Sequence, residues 1–256
     1  MEKRDVVYIL RNDINGKTDE LLYSLRSVAE NFPVRFVWFV GGCPDGFYPD
    51  KMIKHEQTGG TKWERAKSSL IEACKCKEIS DEFYLFNDDF YVLKEPTGDF
   101  INFVNGTIGK RVAEIVINNR GGTSAYTRGL DDLAKRLRRM QKDTLSFAVH
   151  MPLLVDKKKM LDLLTGRDAH FSFRSLYGNY YEIPYIYHKD VKIYTMNEEP
   201  GEDWDYLSTT EQSFAFGKVG EWIRKRFPNP CKYEQKPKGK NYARELYSED
   251  GDEVYN

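Results

Sequence analysis

The sequence predicts an α/β fold in a single domain, with a mixed, mostly parallel central sheet flanked by helices. Three observations lead there. Apolar runs without alternation, Asp5 to Leu10, Arg35 to Val40 and the stretch from Phe83, suit strands buried on both faces of a sheet. Leu21, Leu22, Leu25 and Val28 recur at helical spacing between the first two runs, giving the strand–helix–strand unit of a parallel sheet. At 256 residues the chain is long enough to bury a substantial core.

Taken in order, the first strand ends at the loop Arg11-Asn12-Asp13-Ile14-Asn15-Gly16. That loop sets a guanidinium, an amide and a carboxylate at the mouth of the sheet, where a nucleotide lies in α/β folds; Asn, Asp and Gly also form plain turns. Asp19 to Asn31 reads as an amphipathic helix, stopped by Pro33, and Arg35 to Val40 as the second strand, closed by Gly41-Gly42. Residues 43–61 read as loop and Thr61 to Lys77 as a helix. Lys62 and Arg65 oppose the helix dipole in its first turn, a penalty that a bound phosphate would reverse.

The stretch Phe83-Tyr84-Leu85-Phe86-Asn87-Asp88-Asp89-Phe90-Tyr91 is the most informative. Two adjacent carboxylates interrupt a buried run, and desolvating them is costly unless something pairs with them. The carboxyl end of a central strand is where open α/β sheets bind ligands. Asp88 and Asp89 therefore point to a hard divalent cation, Mg²⁺ or Mn²⁺, carrying phosphate oxygens; the alternative is a strand-end turn capped by Asp88.

Further along, Val112 to Ile117 reads as a strand, Asn118 to Ser124 as a flexible loop, and Leu130 to Gln141 as a helix. Its clustered Lys135, Arg136, Arg138 and Arg139 form a solvated face or meet an acidic acceptor. Phe147 to Pro152 reads as a short strand ending in His150, a residue that could ligate metal, act as acid or base, or hydrogen-bond in a core. Asp156 to Leu164 is helical, and Arg174 sits in an aromatic setting where an ion pair or a phosphate is expected. Val191 to Met196 reads as a strand, Asp203 to Phe216 as a polar site loop containing Asp205 and Glu211, and Val219 to Phe227 as a helix. The catalytic domain is placed at residues 1–234, and residues 235–256 read as a polar, mobile tail.

Composition narrows the classes. Thirty-nine basic and forty acidic residues leave a formal charge of -1, so no global basicity argues for nucleic acid. Cys43, Cys74, Cys76 and Cys231 have no zinc spacing and read as reduced thiols. Neither a signal peptide nor an apolar run long enough to span a bilayer is seen, which gives the expectation of a soluble, cytoplasmic protein.

Several segments resemble the Stealth sugar-phosphate transferases. They are Glu20 to Val28 followed by Val34 to Trp38, the Phe83 to Asp89 segment, His150-Met151-Pro152, and Phe227 to Glu234. The Asn-Asp-Asp core, the Lys-Trp helix before it and the Arg174-Ser175-Leu176-Tyr177-Gly178-Asn179 segment are similar to compact glycosyltransferases of phage and bacterial origin with a GT-A-type sheet. The chain departs from the Stealth pattern at Tyr8 to Asp13. The resemblance implies transfer of a sugar from a nucleotide-sugar donor, expected to be a UDP-sugar, to a hydroxyl of a glycan, a protein or a modified DNA base. It assigns metal to Asp88, Asp89 and His150, and donor binding to Arg11, Asn12, Asp13, Lys62, Arg65, Asp88 and Arg174. Acid–base roles fall to His150, Glu211 and Asp205. The alternatives are sugar-1-phosphate transfer and a non-catalytic carbohydrate- or nucleotide-binding module.

Overall fold

The computed structural model describes residues 2–12, 19–166 and 170–235. It forms two compact units: Met1–Phe100 with His150–Lys157 and Val191–Asn256, and Ile101–Val149 with Lys158–Asp190. Asp13 and the segment read as a tail, from residue 236 on, lie outside the described residues.

The first unit begins with β1 (Arg4–Leu10), α1 (Asp19–Asn31), β2 (Val34–Gly41), β3 (Lys51–Ile53), α2 (Lys62–Lys75), β4 (Glu82–Phe86) and β5 (Phe90–Val92). The second unit holds β6 (Asn102–Val104), α3 (Ile108–Asn118) and α4 (Ala125–Arg139). The chain returns to the first unit for β7 (Leu153–Asp156), and α5 (Lys157–Thr165) leads back into the second for α6 (Phe173–Tyr180) and β8 (Tyr185–Tyr187). It ends in the first with β9 (Lys192–Ile193), β10 (Tyr206–Thr209), α7 (Glu211–Phe216) and α8 (Lys218–Arg226).

The central sheet has the order β3-β2-β1-β4-β7, parallel except for β7, which runs antiparallel to β4. Val6, Val7, Tyr8, Val37 to Val40, Phe83 and Tyr84 are fully buried, as the unbroken apolar runs require. The chain moves from β1 to β2 on one side and later to β4 on the other. The carboxyl ends of β1 and β4 therefore flank a topological switch point.

Asn87-Asp88-Asp89 is a turn between two sheets. β4 ends in the central sheet, and β5 joins a second sheet of order β5-β10-β9, antiparallel to β10. Helix α1 holds the other edge of β5: Ser24 Oγ donates to the Phe90 carbonyl at 2.5 Å, Ser27 Oγ accepts from Val92 N at 3.0 Å, and Asn31 Nδ2 donates to the Val92 carbonyl at 2.8 Å. These polar residues recur every three or four positions, so one helix face replaces a missing strand. Beneath the small sheet, Tyr91, Leu93, Ile193, Leu207, Phe214, Val219, Ile223 and Phe227 form a buried cluster.

Four sequence expectations are corrected. Val112 to Ile117 lies in helix α3, capped by Thr107, whose side chain accepts from Lys110 N; β-branched residues mimic a strand there, yet Ile108, Val112, Ile115 and Val116 keep helical spacing. The strand expected up to His150 starts only after Pro152, as β7. The supposed site loop Asp203 to Phe216 contains β10 and α7, the latter begun by a Thr210–Ser213 capping box. The short β3 lies within a stretch read as loop.

In the second unit, α3 and α4 pack together, and β6 pairs in parallel with β8. Asn179 bridges the Leu145 amide and carbonyl, each at 2.8 Å, and so fixes α6 to the segment before Phe147.

Candidate functional site

The site is built at the turn between β4 and β5 in the first unit. Asp89 points to the second sheet: Lys192 Nζ of β9 lies 2.6 Å from its Oδ2, and Ser208 Oγ of β10 donates to the same oxygen at 3.1 Å. Its other oxygen, Oδ1, is buried and has no hydrogen-bond partner among the described residues. Solvent reaches Asp88, while protein crowds the carboxyl from its remaining sides. That desolvation raises its pKa, and the neighbouring Asp89 raises it further. Its own backbone amide, Lys192 and Arg11 pull the other way.

A third carboxyl belongs to the same group. Glu20, in the first turn of α1, accepts from Thr209 Oγ1 at 2.6 Å, and Thr209 Oγ1 lies 3.1 Å from the Tyr91 hydroxyl. Burial pushes the Glu20 pKa up to about 7, Thr209 lowers it, and Asp89 and Asp88 raise it further. Glu20, Asp88 and Asp89 thus lie within electrostatic reach of one another and of the Lys192 ammonium, with Arg11 near enough to stabilise the charge on Asp88.

The carboxyl end of β1 meets the end of β2 closely. Gly41, at φ +104°, leaves no room for a Cβ, which would stand 2.2 Å from the Leu10 carbonyl oxygen and 3.3 Å from Asn12 Oδ1. Gln57 Nε2 donates to that carbonyl at 2.8 Å and to Ser69 Oγ at 2.9 Å, holding the β1 end in place. Arg11 and Asn12 are exposed beyond it.

The remaining expected site residues fall unevenly. His150 lies just before β7, whose pairing of Leu153 with Leu85 carries the preceding residues past the carboxyl end of β4. Its ring stands edge-on to Phe90 and Tyr194, with centroids 6.5 and 6.4 Å away. Among the described residues no three His, Cys, Asp or Glu side chains form a group that could hold a metal. Asp205 lies just before β10: its carbonyl accepts from Leu93 N and its carboxylate faces Lys94 at 4.0 Å. It stands three residues along the chain from Ser208, roughly 10 Å at strand rise. Glu211 opens α7 two residues after Thr209 and is exposed at the same end of β10.

Lys62 and Arg65 are exposed, and the first turn of α2 already carries an acid between them. Thr61 and Glu64 form a capping box, with the Glu64 carboxylate accepting from Thr61 N and Thr61 Oγ1 at 2.9 Å each. Glu64 thus puts negative charge at this helix start, where the dipole favours it. Arg174 lies in the second unit, where its Nη1 donates to the Val149 carbonyl at 2.7 Å, so a backbone oxygen takes part of the role expected of an ion-pair partner.

Sequence reasoning missed Glu20, Lys192, Ser208 and Thr209. Only Glu20 carried a signal, a carboxylate in the first turn of a helix that follows the carboxyl end of a buried strand.

The donor set can be weighed against a divalent cation. Mg²⁺ and Mn²⁺ take oxygen ligands and are commonly held by one or two carboxylates together with phosphate oxygens and water. Asp88 and Asp89 supply two such carboxylates in a group with more acids than cations, and Asp89 has an orphaned oxygen. This pair fits a cation that draws its other ligands from a phosphate; it does not form an all-protein cage.

No family profile and no curated protein matches the chain. Among solved structures it is similar to the galactosyltransferase LgtC in complex with donor and acceptor sugar analogues, at 11% identity over 91% of this chain and 98% of that one, with a TM-score of 0.45. It is also similar to the glycosyltransferase GlyE of Streptococcus pneumoniae TIGR4, at 10% identity over 74% of this chain, with a TM-score of 0.36. The matched region spans 46% of GlyE, under half its length. No described helix is long and apolar enough to cross a membrane.

Proposed function

We propose that the chain is a GT-A-like glycosyltransferase that moves a sugar from a nucleotide-sugar donor to a hydroxyl acceptor. One observation carries this reading: Asp88 and Asp89 stand at the carboxyl end of β4, beside β1, at the switch point where open α/β sheets bind nucleotides. The motif resemblance noted above supports the same class, and a UDP-sugar is the donor it favours.

The nucleoside fits against the ends of β1 and β2, where Arg11 and Asn12 are exposed over the Gly41-Gly42 approach. The diphosphate then falls beside Asp88 and Asp89. A Mg²⁺ or Mn²⁺ ion held by that pair would act as Lewis acid for the leaving diphosphate. Arg11, already close enough to lower the Asp88 pKa, adds positive charge at the same place. Ser208 orients the Asp89 side chain, and the Tyr91–Thr209–Glu20 chain of hydrogen bonds orients that of Glu20. Glu211, exposed at the start of α7, is our candidate to take the acceptor proton, and His150 lines the β4 end against Phe90.

A thermal-shift screen of nucleotide sugars with and without Mn²⁺ tests the reading, because a ligand of the folded state raises the melting temperature. A shift of several degrees with one nucleotide sugar, larger with Mn²⁺, is expected. No shift with any nucleotide, sugar-linked or free, contradicts it.

A further inference from the structure

Resting on the reading of Asp88 and Asp89 as a cation-holding pair, we propose that Lys192 is a built-in competitor for that cation, occupying Asp89 until a nucleoside diphosphate arrives. Neither oxygen of Asp89 is open in this structure. Oδ2 is taken by Lys192 Nζ at 2.6 Å and by Ser208 Oγ at 3.1 Å, and Oδ1 is shut off from solvent. Both side chains are largely buried, Lys192 at 15% and Asp89 at 14% exposure, so the pair is shielded from the screening that weakens surface ion pairs. Only Asp88 faces solvent, and one carboxylate alone is a poor ligand set for Mn²⁺ or Mg²⁺.

The charge count explains why the lysine gives way. Asp88, Asp89 and a diphosphate, which brings at least two negative charges, together exceed what Lys192 and Arg11 can neutralise. A divalent ion held by Asp88 and Asp89, with Lys192 turned onto a phosphate oxygen, would make up the difference. Lysine suits this exchange because its ammonium is a point charge on a flexible stem, able to swing between two partners a few ångströms apart. The consequence is coupling: Mn²⁺ binds weakly alone and tightly with nucleotide, and by linkage the nucleotide binds better with Mn²⁺ by the same factor.

The experiment is a Mn²⁺ titration, followed by electron paramagnetic resonance of the free ion, with and without UDP. It needs no turnover. In the wild-type protein UDP should tighten Mn²⁺ at least tenfold. Lys192→Met should tighten Mn²⁺ about tenfold without UDP and shrink the gain from UDP. Lys192→Arg keeps the charge and grips Asp89 with a two-pronged guanidinium, so it should weaken Mn²⁺ in the absence of UDP; it keeps the test informative should the methionine variant fail to fold. Mn²⁺ affinity without UDP that is unchanged or weaker in Lys192→Met, or unchanged in Lys192→Arg, overturns the competition while leaving the cation pair standing. Absence of Mn²⁺ binding in every protein even with UDP overturns the cation pair itself.

Discussion

Thr209 Oγ1 donates to Glu20 at 2.6 Å, tying the last residue of β10 to the first turn of α1 across 189 positions of sequence. This contact closes the acidic group from behind. Buried at the edge of two sheets, Glu20 has a pKa raised to about 7 and so holds its proton well above the range of an ordinary carboxyl.

A pH dependence follows. Glu20 binds its proton more tightly folded than unfolded, so its contribution to stability is fully present below about pH 4.5 and is lost as pH rises toward about 7. The raised pKa of Asp88 acts in the same direction. Glu20→Gln, which cannot ionise, should flatten the fall in unfolding free energy between pH 5 and pH 8 measured by urea titration. An unchanged slope in this variant would place the titrating group elsewhere.

At the opposite end of β1, Asp5 is fully buried and accepts from Arg35 Nε at 2.8 Å, from Arg35 Nη2 at 2.5 Å and from Ser80 N at 2.8 Å. Removing the carboxylate strands these donors. Arg35 is exposed enough to be rehydrated, so Asp5→Ala should lower stability by about 1–3 kcal/mol, chiefly through the stranded Ser80 amide. Nucleotide affinity at a temperature where the variant is folded should not change. A loss below about 0.5 kcal/mol would mean that Asp5 contributes no more than a surface ion pair.

Gly41 predicts a local effect with a functional consequence. An alanine there combines a positive φ with a Cβ that overlaps the Leu10 carbonyl oxygen. Gly41→Ala should lose about 1–3 kcal/mol of stability and weaken nucleotide binding by shifting Arg11 and Asn12. Full stability with intact binding would show that the β1 end tolerates displacement.

Lys62 and Arg65, expected to hold phosphate, and Arg11, expected beside the nucleoside, now differ in their surroundings. Lys62 and Arg65 flank a helix start already served by Glu64, whereas Arg11 acts on Asp88. Arg11→Ala should weaken UDP binding about tenfold, and Lys62→Ala with Arg65→Ala by less than threefold, in calorimetric titrations. The reverse order would restore the helix start as the phosphate site.

How much of this was legible depends on the reach of each interaction. The buried runs of β1, β2 and β4 and the periodic face of α1 declare themselves within ten residues or so, and the structure places all four where the sequence puts them. Asp88 and Asp89 stood out because charge breaks an apolar run. What such a run cannot disclose is that β4 and β5 belong to different sheets, since both halves are equally buried. Lys192 lies 103 residues from Asp89, in a two-residue strand with no pattern of its own. Nor does the polar run from Asp203 to Phe216 show that Ser208 is the residue that β10 sets beside Asp89.

The most direct test of the central claim is release of UDP from a UDP-sugar, followed with Mn²⁺ and an acceptor mixture, by the wild-type protein and by Asp88→Asn. Asp88 is solvent-facing, so the substitution should leave the fold intact while lowering release at least a hundredfold. Release by Asp88→Asn at the wild-type rate would contradict the account.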